Sequence, residues 1–191
     1  EMHCPFVINQ NRYSIFDRTV EKNGLKKTTG ILKKGLITFS PLAQGQLTDR
    51  YLNGIPEDSR IRTDGRFLKE SNLTPERLQQ IRELNDMAAE RGEKLSEMAL
   101  GWLLAQQEVT SVLIGASRPQ QILDNIKAIH CAPFTEEELV RIDEIAAEKS
   151  GIIKPDSVCI LYPNPKCERI FEKVCSDNNT ELIKINDFGD V

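Results

Sequence analysis

Apolar positions along the chain follow two periods that alternate, and each period predicts an element type. Val7 and Ile8, both β-branched, sit in a short apolar run that predicts a strand over residues 6–10. Leu36, Ile37 and Phe39 form a second run, bounded by Gly35 and cut off by Pro41. Its apolar residues are continuous rather than alternating, which suits a parallel strand covered on both faces. A third run predicts a strand over residues 109–114, with Val109, Val112, Leu113 and Ile114.

Between these runs the period lengthens to that of a helix. A short helix is expected somewhere over residues 23–34, with Thr28, Thr29 and Gly30 leaving its ends indistinct. Thr74-Pro75-Glu76 supplies a cap, a proline suited to the first helical position and an acid in the first turn. Leu78, Ile81, Leu84, Met87 and Ala88 then recur at helical spacing until Gly92. The next helix, residues 96–107, carries Met98, Leu100, Trp102, Leu103 and Leu104 and is apolar over most of its surface, so it should be buried. Beyond the third strand, Ser117 and Gln120 stand in a capping-box relation that starts a helix at Arg118, with Ile122, Ile126 and Ile129 as its buried stripe. Thr135 and Glu138 repeat the capping pattern ahead of Leu139, Ile142, Ile145 and Ala146.

After Ser150-Gly151 the character shifts. A strand over 157–162, a break at Pro163-Asn164-Pro165, a helix over 166–176 and a strand over 180–185 outline a β-α-β segment too short to bury its own faces. Residues 1–150 are therefore expected to form one domain, and residues 151–191 a truncated or fused segment.

Composition narrows the function classes. The 191 residues hold 25 Lys+Arg against 29 Asp+Glu, a formal charge of −4, so the basic face of a general nucleic-acid binder is not expected. No apolar run reaches membrane-spanning length and no cleavable leader stands at the start. Five scattered cysteines without a CxxC pair, and two distant histidines, predict reduced thiols in a cytoplasmic setting and no metal site.

Candidate chemistry gathers at the carboxyl ends of the predicted strands, where parallel α/β folds place their ligands. The first strand runs into Asn9, Gln10, Asn11, Arg12 and Tyr13, a cluster able to meet a polar ligand. The second runs into Ser40-Pro41-Leu42-Ala43-Gln44-Gly45, with a hydroxyl, a stiffened exit and a glycine that lets backbone approach a phosphate. The long loop over 47–71 carries Arg50, Arg60, Arg62 and Arg66. Its arginines could clamp phosphates or pair in solvent with Glu57, Asp58 and Asp64, and composition alone favours the second reading. The third strand leads through Gly115 and Ser117 to a helix start, an anion site to which Arg118 adds charge.

Five phrases carry a resemblance. They are Ile8-Asn-Gln-Asn-Arg-Tyr13, Phe39-Ser-Pro-Leu-Ala-Gln-Gly45, Tyr51-Leu-Asn-Gly-Ile-Pro-Glu-Asp-Ser-Arg60, Met98-Ala-Leu-Gly-Trp-Leu103 and Val112-Leu-Ile-Gly-Ala-Ser117, the last followed by Asp124-Asn125. In this order and spacing the chain resembles the aldo-keto reductase family, in particular the branch of L-glyceraldehyde 3-phosphate reductases and potassium-channel β subunits. The resemblance implies an α/β fold, the C-terminal half of a (β/α)8 barrel built from strands six to eight. It implies NADPH as cofactor and a small aldehyde or ketone as substrate of the intact enzyme. Gln10 matches the side chain on the nicotinamide carboxamide and Phe39 the aromatic stacked under the nicotinamide ring. Ser40, Pro41, Leu42 and Gly45 match the pyrophosphate loop, and Arg50 and Arg60 the loop folded over the cofactor, which reverses the solvated reading for those two. Ser117, Arg118 and Gln121 match the adenosine-side phosphate site, and Asp124 and Asn125 the adenine contacts.

The family's catalytic aspartate, tyrosine, lysine and histidine come from strands one to four, and nothing in this chain matches them. Tyr13 and Tyr51 fall elsewhere, so no catalytic residue is assigned. The implied reading is a cofactor-binding half-barrel that is inactive alone and completed by a missing N-terminal half-barrel. The alternatives are a non-catalytic NADP-binding or regulatory module and a truncated gene product without function.

Overall fold

The computed structural model describes residues 6–57, 59–63, 68–147, 158–161, 172, 175–176 and 179–184. The chain divides into two compact units, residues 1–146 and 147–191. In the first, β1 (Ile8–Arg12), β2 (Gly35–Phe39) and β3 (Val109–Val112) form a parallel sheet in the order β1-β2-β3. Helices α1 (Thr19–Lys22) and α2 (Leu25–Ile31) make the crossover from β1 to β2. Helices α3 (Arg60–Thr63), α4 (Pro75–Glu90) and α5 (Leu95–Leu104) lie between β2 and β3, and α6 (Pro119–Ile126) and α7 (Glu136–Ala146) follow. Parallel strands need such crossovers, because a tight turn can only reverse a strand.

Register sorts the side chains between the two faces of the sheet. Leu36 pairs with Asn9 and Val109, and Thr38 with Asn11 and Val112, so these six share a face. Leu36 and Thr38 are fully buried, and Val109 and Val112 pack against the core. The other face carries Ile8, Gln10 and Arg12 of β1, Ile37 and Phe39 of β2 and Ser111 of β3. A register shift next to Leu36 leaves Thr110 out of the ladder, and its hydroxyl accepts the Leu36 N–H at 3.2 Å in place of a backbone carbonyl.

The core lies between sheet and helices. Ile81, Leu84, Met87 and Ala88 give α4 its inward stripe, and Leu95, Met98, Ala99, Trp102 and Leu103 bury most of α5. Thr74 caps α4 through its hydroxyl, which accepts the Arg77 N–H at 3.2 Å, with Pro75 at the first helical position. At α7 the Thr135 N–H donates to Glu138 and the Glu138 N–H returns a bond to the Thr135 hydroxyl.

Several expectations need correction. The first strand spans Ile8–Arg12 rather than 6–10, because its ladder is set by pairing with Gly35–Phe39. The third ends at Val112, and Leu113 adds one bond to the Thr38 carbonyl at 2.8 Å. The helix expected over 96–107 spans Leu95–Leu104. Tyr13, read as part of a polar cluster at solvent, is fully buried against Trp102. The helix expected from Arg118 begins at Pro119 with Arg118 as its cap, and the capping side chain is Gln121 rather than Gln120. Its stripe has the expected period but is not buried: Ile122, Ile126 and Ile129 are 45%, 49% and 64% exposed. Nothing among the described residues covers that face.

In the second unit, β4 (Val158–Leu161) and β5 (Glu181–Lys184) pair in parallel, from Val158 with Glu181 to Leu161 with Lys184. The two predicted strands are thus present in shortened form, while most of the helix expected over 166–176 lies outside the described residues. No described helix is long and apolar enough to cross a membrane, and no cluster of possible metal ligands occurs among the described residues.

Candidate functional site

Because the sheet is parallel, its three carboxyl ends lie at one end, where Tyr13 N–H reaches the Phe39 carbonyl at 3.4 Å. Two residues expected to meet one ligand group share the open face there. Gln10 pairs with Ile37 on the neighbouring strand, two residues before Phe39, and both side chains project from the face away from the core. Gln10 is exposed and Phe39 half-buried, so an amide and an aromatic face are presented together. That pair suits a flat heteroaromatic ring bearing a carboxamide: the ring stacks and the amide hydrogen-bonds.

Arg12 joins them. It is the register partner of Phe39, and its guanidinium carbon lies 5.7 Å from the Phe39 ring centroid. On the opposite face Asn11 donates to Asn9 at 2.7 Å, so the two asparagines of the expected polar cluster satisfy each other beneath the sheet.

The loop after β2 turns in an unusual backbone. Ser40, Ala43, Gln44 and Gly45 have φ of 53°, 47°, 62° and 94°. Three of them are not glycine, and left-handed backbone at such residues costs about 1–3 kcal/mol each, so the surrounding structure must hold it. Buried Pro41 and partly buried Leu42, packed on the core, anchor the loop from beneath. Within it, the Ser40 hydroxyl accepts from the Gln44 side-chain amide at 3.0 Å, and the Gly45 N–H donates to the Leu42 carbonyl. Successive left-handed residues curl backbone into the kind of concavity that receives anions. The loop continues through Thr48, whose hydroxyl accepts the Arg50 N–H at 3.2 Å, placing half-buried Arg50 on the next turn. Arg60 is the first residue of α3.

Beyond β3, four residues lead to Ser117 and the start of α6. One side-chain oxygen, Gln121 Oε1, accepts from the Ser117 N–H at 2.8 Å, the Arg118 N–H at 3.3 Å and the Ser117 hydroxyl at 3.2 Å. The helix start is therefore capped internally: Ser117 and Arg118 are exposed, and their two N–H groups are already directed to Gln121. Asp124 is held by Lys94 at 3.1 Å, Lys127 at 3.2 Å and the Gln120 amide at 3.2 Å. These hydrogen bonds, that from Lys94 first, lower its carboxyl pKa to about 2. Asn125 is buried. The expected residues thus line one end of the sheet in three groups: Gln10 with Phe39, the Ser40–Gly45 loop with Arg50, and the start of α6. Sequence reasoning left Arg12 without a specific role, although strict alternation from Gln10 already put it on the face of Gln10.

Over 151 residues the chain is 46% identical to the L-glyceraldehyde 3-phosphate reductase of Escherichia coli O157:H7, which covers 78% of this chain and 44% of that protein. It is 36% identical over 143 residues to a putative voltage-gated potassium channel subunit beta of Schizosaccharomyces pombe, covering 73% and 42%. Among solved structures, the glycerol dehydrogenase AKR11B4 from Gluconobacter oxydans superposes with a TM-score of 0.61 at 25% identity, over 75% of this chain and 43% of that one. The chain thus spans less than half the length of these relatives. Their structures support the (β/α)8 fold family for this parallel sheet and its helices. The model of the aldo/keto reductase family matches residues 1–147, the whole of the first unit and one residue beyond it, and with it the sheet, the loop and the α6 start; this chain belongs to the aldo/keto reductase family.

Proposed function

We propose that this chain is the C-terminal, cofactor-binding half of an NADPH-dependent aldo-keto reductase, contributing barrel strands six to eight as β1, β2 and β3. In the complete enzyme a hydride passes from the dihydronicotinamide to the carbonyl carbon of a small aldehyde or ketone, and a proton passes to its oxygen. The observation that carries the reading is the shared open face of Gln10 and Phe39 beside a left-handed backbone loop. Phe39 offers the stacking surface, Gln10 the carboxamide contact, the Ser40–Gly45 loop and Arg50 the pyrophosphate contacts, and Arg118 the charge for an adenosine-side phosphate. Arg60, Leu42, Ser117, Gln121, Asp124 and Asn125 complete the nucleotide track by their match to the family.

This half lacks a proton donor, since the family's tetrad belongs to strands that these 191 residues do not match. The chain alone is therefore expected to bind nucleotide without turning over a carbonyl. The partner this reading requires is the N-terminal half-barrel. Both outer strands, β1 and β3, are unpaired on their far edges among the described residues. Ile8 on β1 and Leu113 and Ile114 just after β3 remain 39–50% exposed. Open edges and exposed apolar side chains of this kind are surface that further strands would cover. A regulatory module that binds NADP without chemistry is the second reading, favoured by the same missing tetrad.

Fluorescence titration of the purified chain with NADPH and NADH, with Arg118→Ala alongside, tests the proposal. Saturable binding that prefers NADPH and weakens in Arg118→Ala supports it. A folded chain with no nucleotide affinity overturns it, and carbonyl-dependent NADPH oxidation by the chain alone overturns the inactive half.

A further inference from the structure

We propose that Arg12 selects substrates whose carbonyl lies a few bonds from an anionic group, a carboxylate or a phosphate. The proposal deepens the reading above and rests on it for the position of the nicotinamide ring. Three observations place Arg12 at the substrate. It projects from the same open face as Gln10 and Phe39, at the carboxyl end of β1. It is the register partner of Phe39, with its guanidinium carbon 5.7 Å from that ring's centroid. It is exposed and makes no ion pair among the described residues.

That last point separates Arg12 from Arg18 and Arg91, which also lie over aromatic rings. Arg18 lies over Trp102 and also binds Asp143 at 2.7 Å. Arg91 lies over Phe134 and binds Glu93 and Glu138. Those guanidinium groups carry their own counter-charge and tie helices together. Arg12 carries none, and its only described contact is the ring on which the cofactor stacks. A planar fork of N–H donors beside that ring can receive a carboxylate or phosphate through two parallel hydrogen bonds. Neighbouring strands are about 4.8 Å apart, so an anion held by Arg12 lies a short chain length from a carbonyl over the ring beside Phe39. Gln10 on the same strand and Ser111 on the far strand bring no charge to this face, so Arg12 sets its sign.

The test uses the full chain and three unreactive alcohols that stand for reduced products: 4-hydroxybutyrate, 2-hydroxyethylphosphonate and neutral 1,4-butanediol. Affinities are read from backbone amide shifts, with and without saturating NADP+, for the parent chain, Arg12→Gln and Arg12→Lys. The parent is expected to bind at least one anionic alcohol ten times more tightly than the diol, with shifts at Gln10 and Phe39. Arg12→Gln should bring that ratio near one, and Arg12→Lys should keep part of it. The carboxylate and phosphonate arms show which anion is preferred. A parent that does not distinguish charged from neutral alcohols, or an Arg12→Gln chain that still does, overturns the proposal. Discrimination that depends on Arg12 but is indifferent to NADP+, in a chain without NADP+ affinity, upholds the anion site and overturns the cofactor reading alone.

Discussion

Tyr13 and Trp102 meet edge to face, with ring centroids 5.4 Å apart and planes inclined at 67°. Tyr13 follows β1 and Trp102 lies within α5, so this contact joins the sheet to the helix layer. Both rings are almost wholly buried. The Tyr13 hydroxyl donates to Glu21, and the Arg18 guanidinium covers the indole at 4.4 Å. Burial first, and then the Glu21 hydrogen bond, push the Tyr13 phenol well above its ordinary range, so it stays a donor at every physiological pH.

Removing the indole should therefore open the interface. Trp102→Ala is expected to cost about 3–5 kcal/mol, the range for a large aromatic lost from a core. Tyr13→Phe keeps the ring contact and loses the hydrogen bond, for about 1–2 kcal/mol. Urea denaturation monitored by circular dichroism gives both values, and a Tyr13→Phe cost equal to that of Trp102→Ala would show that the hydroxyl, not the ring pair, holds the layer.

Thr38 makes the opposite case. Its hydroxyl is fully buried on β2 and has no hydrogen-bond partner among the described residues. Burying such a group without a partner costs free energy, whereas valine has the same shape and a strong strand preference. Thr38→Val is expected to raise the unfolding midpoint, by about 1 kcal/mol of stability. A lowered midpoint would mean that the hydroxyl is bonded in solution.

The sequence announced elements wherever a local rule and tertiary packing agreed. Thr74-Pro75 and the Thr135–Glu138 box marked the starts of α4 and α7 because capping is decided within one turn. Ile122, Ile126 and Ile129 were placed on one stripe by period, yet period says nothing of what covers a stripe. The first strand moved by two residues because its hydrogen bonds follow Gly35–Phe39, which lie far away in sequence. At the site, Gln10 and Phe39 could be named from their motifs, but their common face is a matter of register. The left-handed run at Ala43 and Gln44 had no signal in residues that ordinarily avoid it.

Gly101 and Cys131 test packing where α5 passes the segment after α6. A methyl group added at Gly101 would stand 2.9 Å from the Cys131 Cβ and 3.0 Å from its sulfur. Gly101→Ala is thus expected to lower stability by about 1–3 kcal/mol despite the better helix propensity of alanine. The Cys131 thiol donates to the Glu97 carbonyl at 3.4 Å, and burial, with nearby Glu93, pushes its pKa up to about 11. Alkylation of Cys131 by iodoacetamide at pH 8, followed by peptide mass spectrometry, should therefore be slow in the folded chain and speed up in Gly101→Ala. Equal rates in both chains would show that the helix does not press on Cys131.

Asp124 gives the chain a defined acid sensitivity. Lys94, Gln120 and Lys127 hold its carboxylate and lower its pKa from 3.8 to about 2. A depressed carboxyl pKa stabilises the folded state above the unfolded value, and that stabilisation is lost as pH falls through the folded value. The contribution is therefore complete above about pH 4 and disappears toward pH 2. The partner lysines are exposed and Asp124 itself only partly buried, so salt should screen the pairs and the effect on the midpoint should be small. Melting Asp124→Asn beside the parent from pH 6 to pH 2 should show a modest deficit for the variant that closes between pH 4 and pH 2 and narrows in high salt. Glu90 and Glu138, whose pKa values are also lowered, are common to both chains and cancel in the difference. A deficit that persists unchanged to pH 2 would mean that the asparagine disturbs the start of α6 itself, and that the ion pairs with Lys94 and Lys127 contribute nothing measurable.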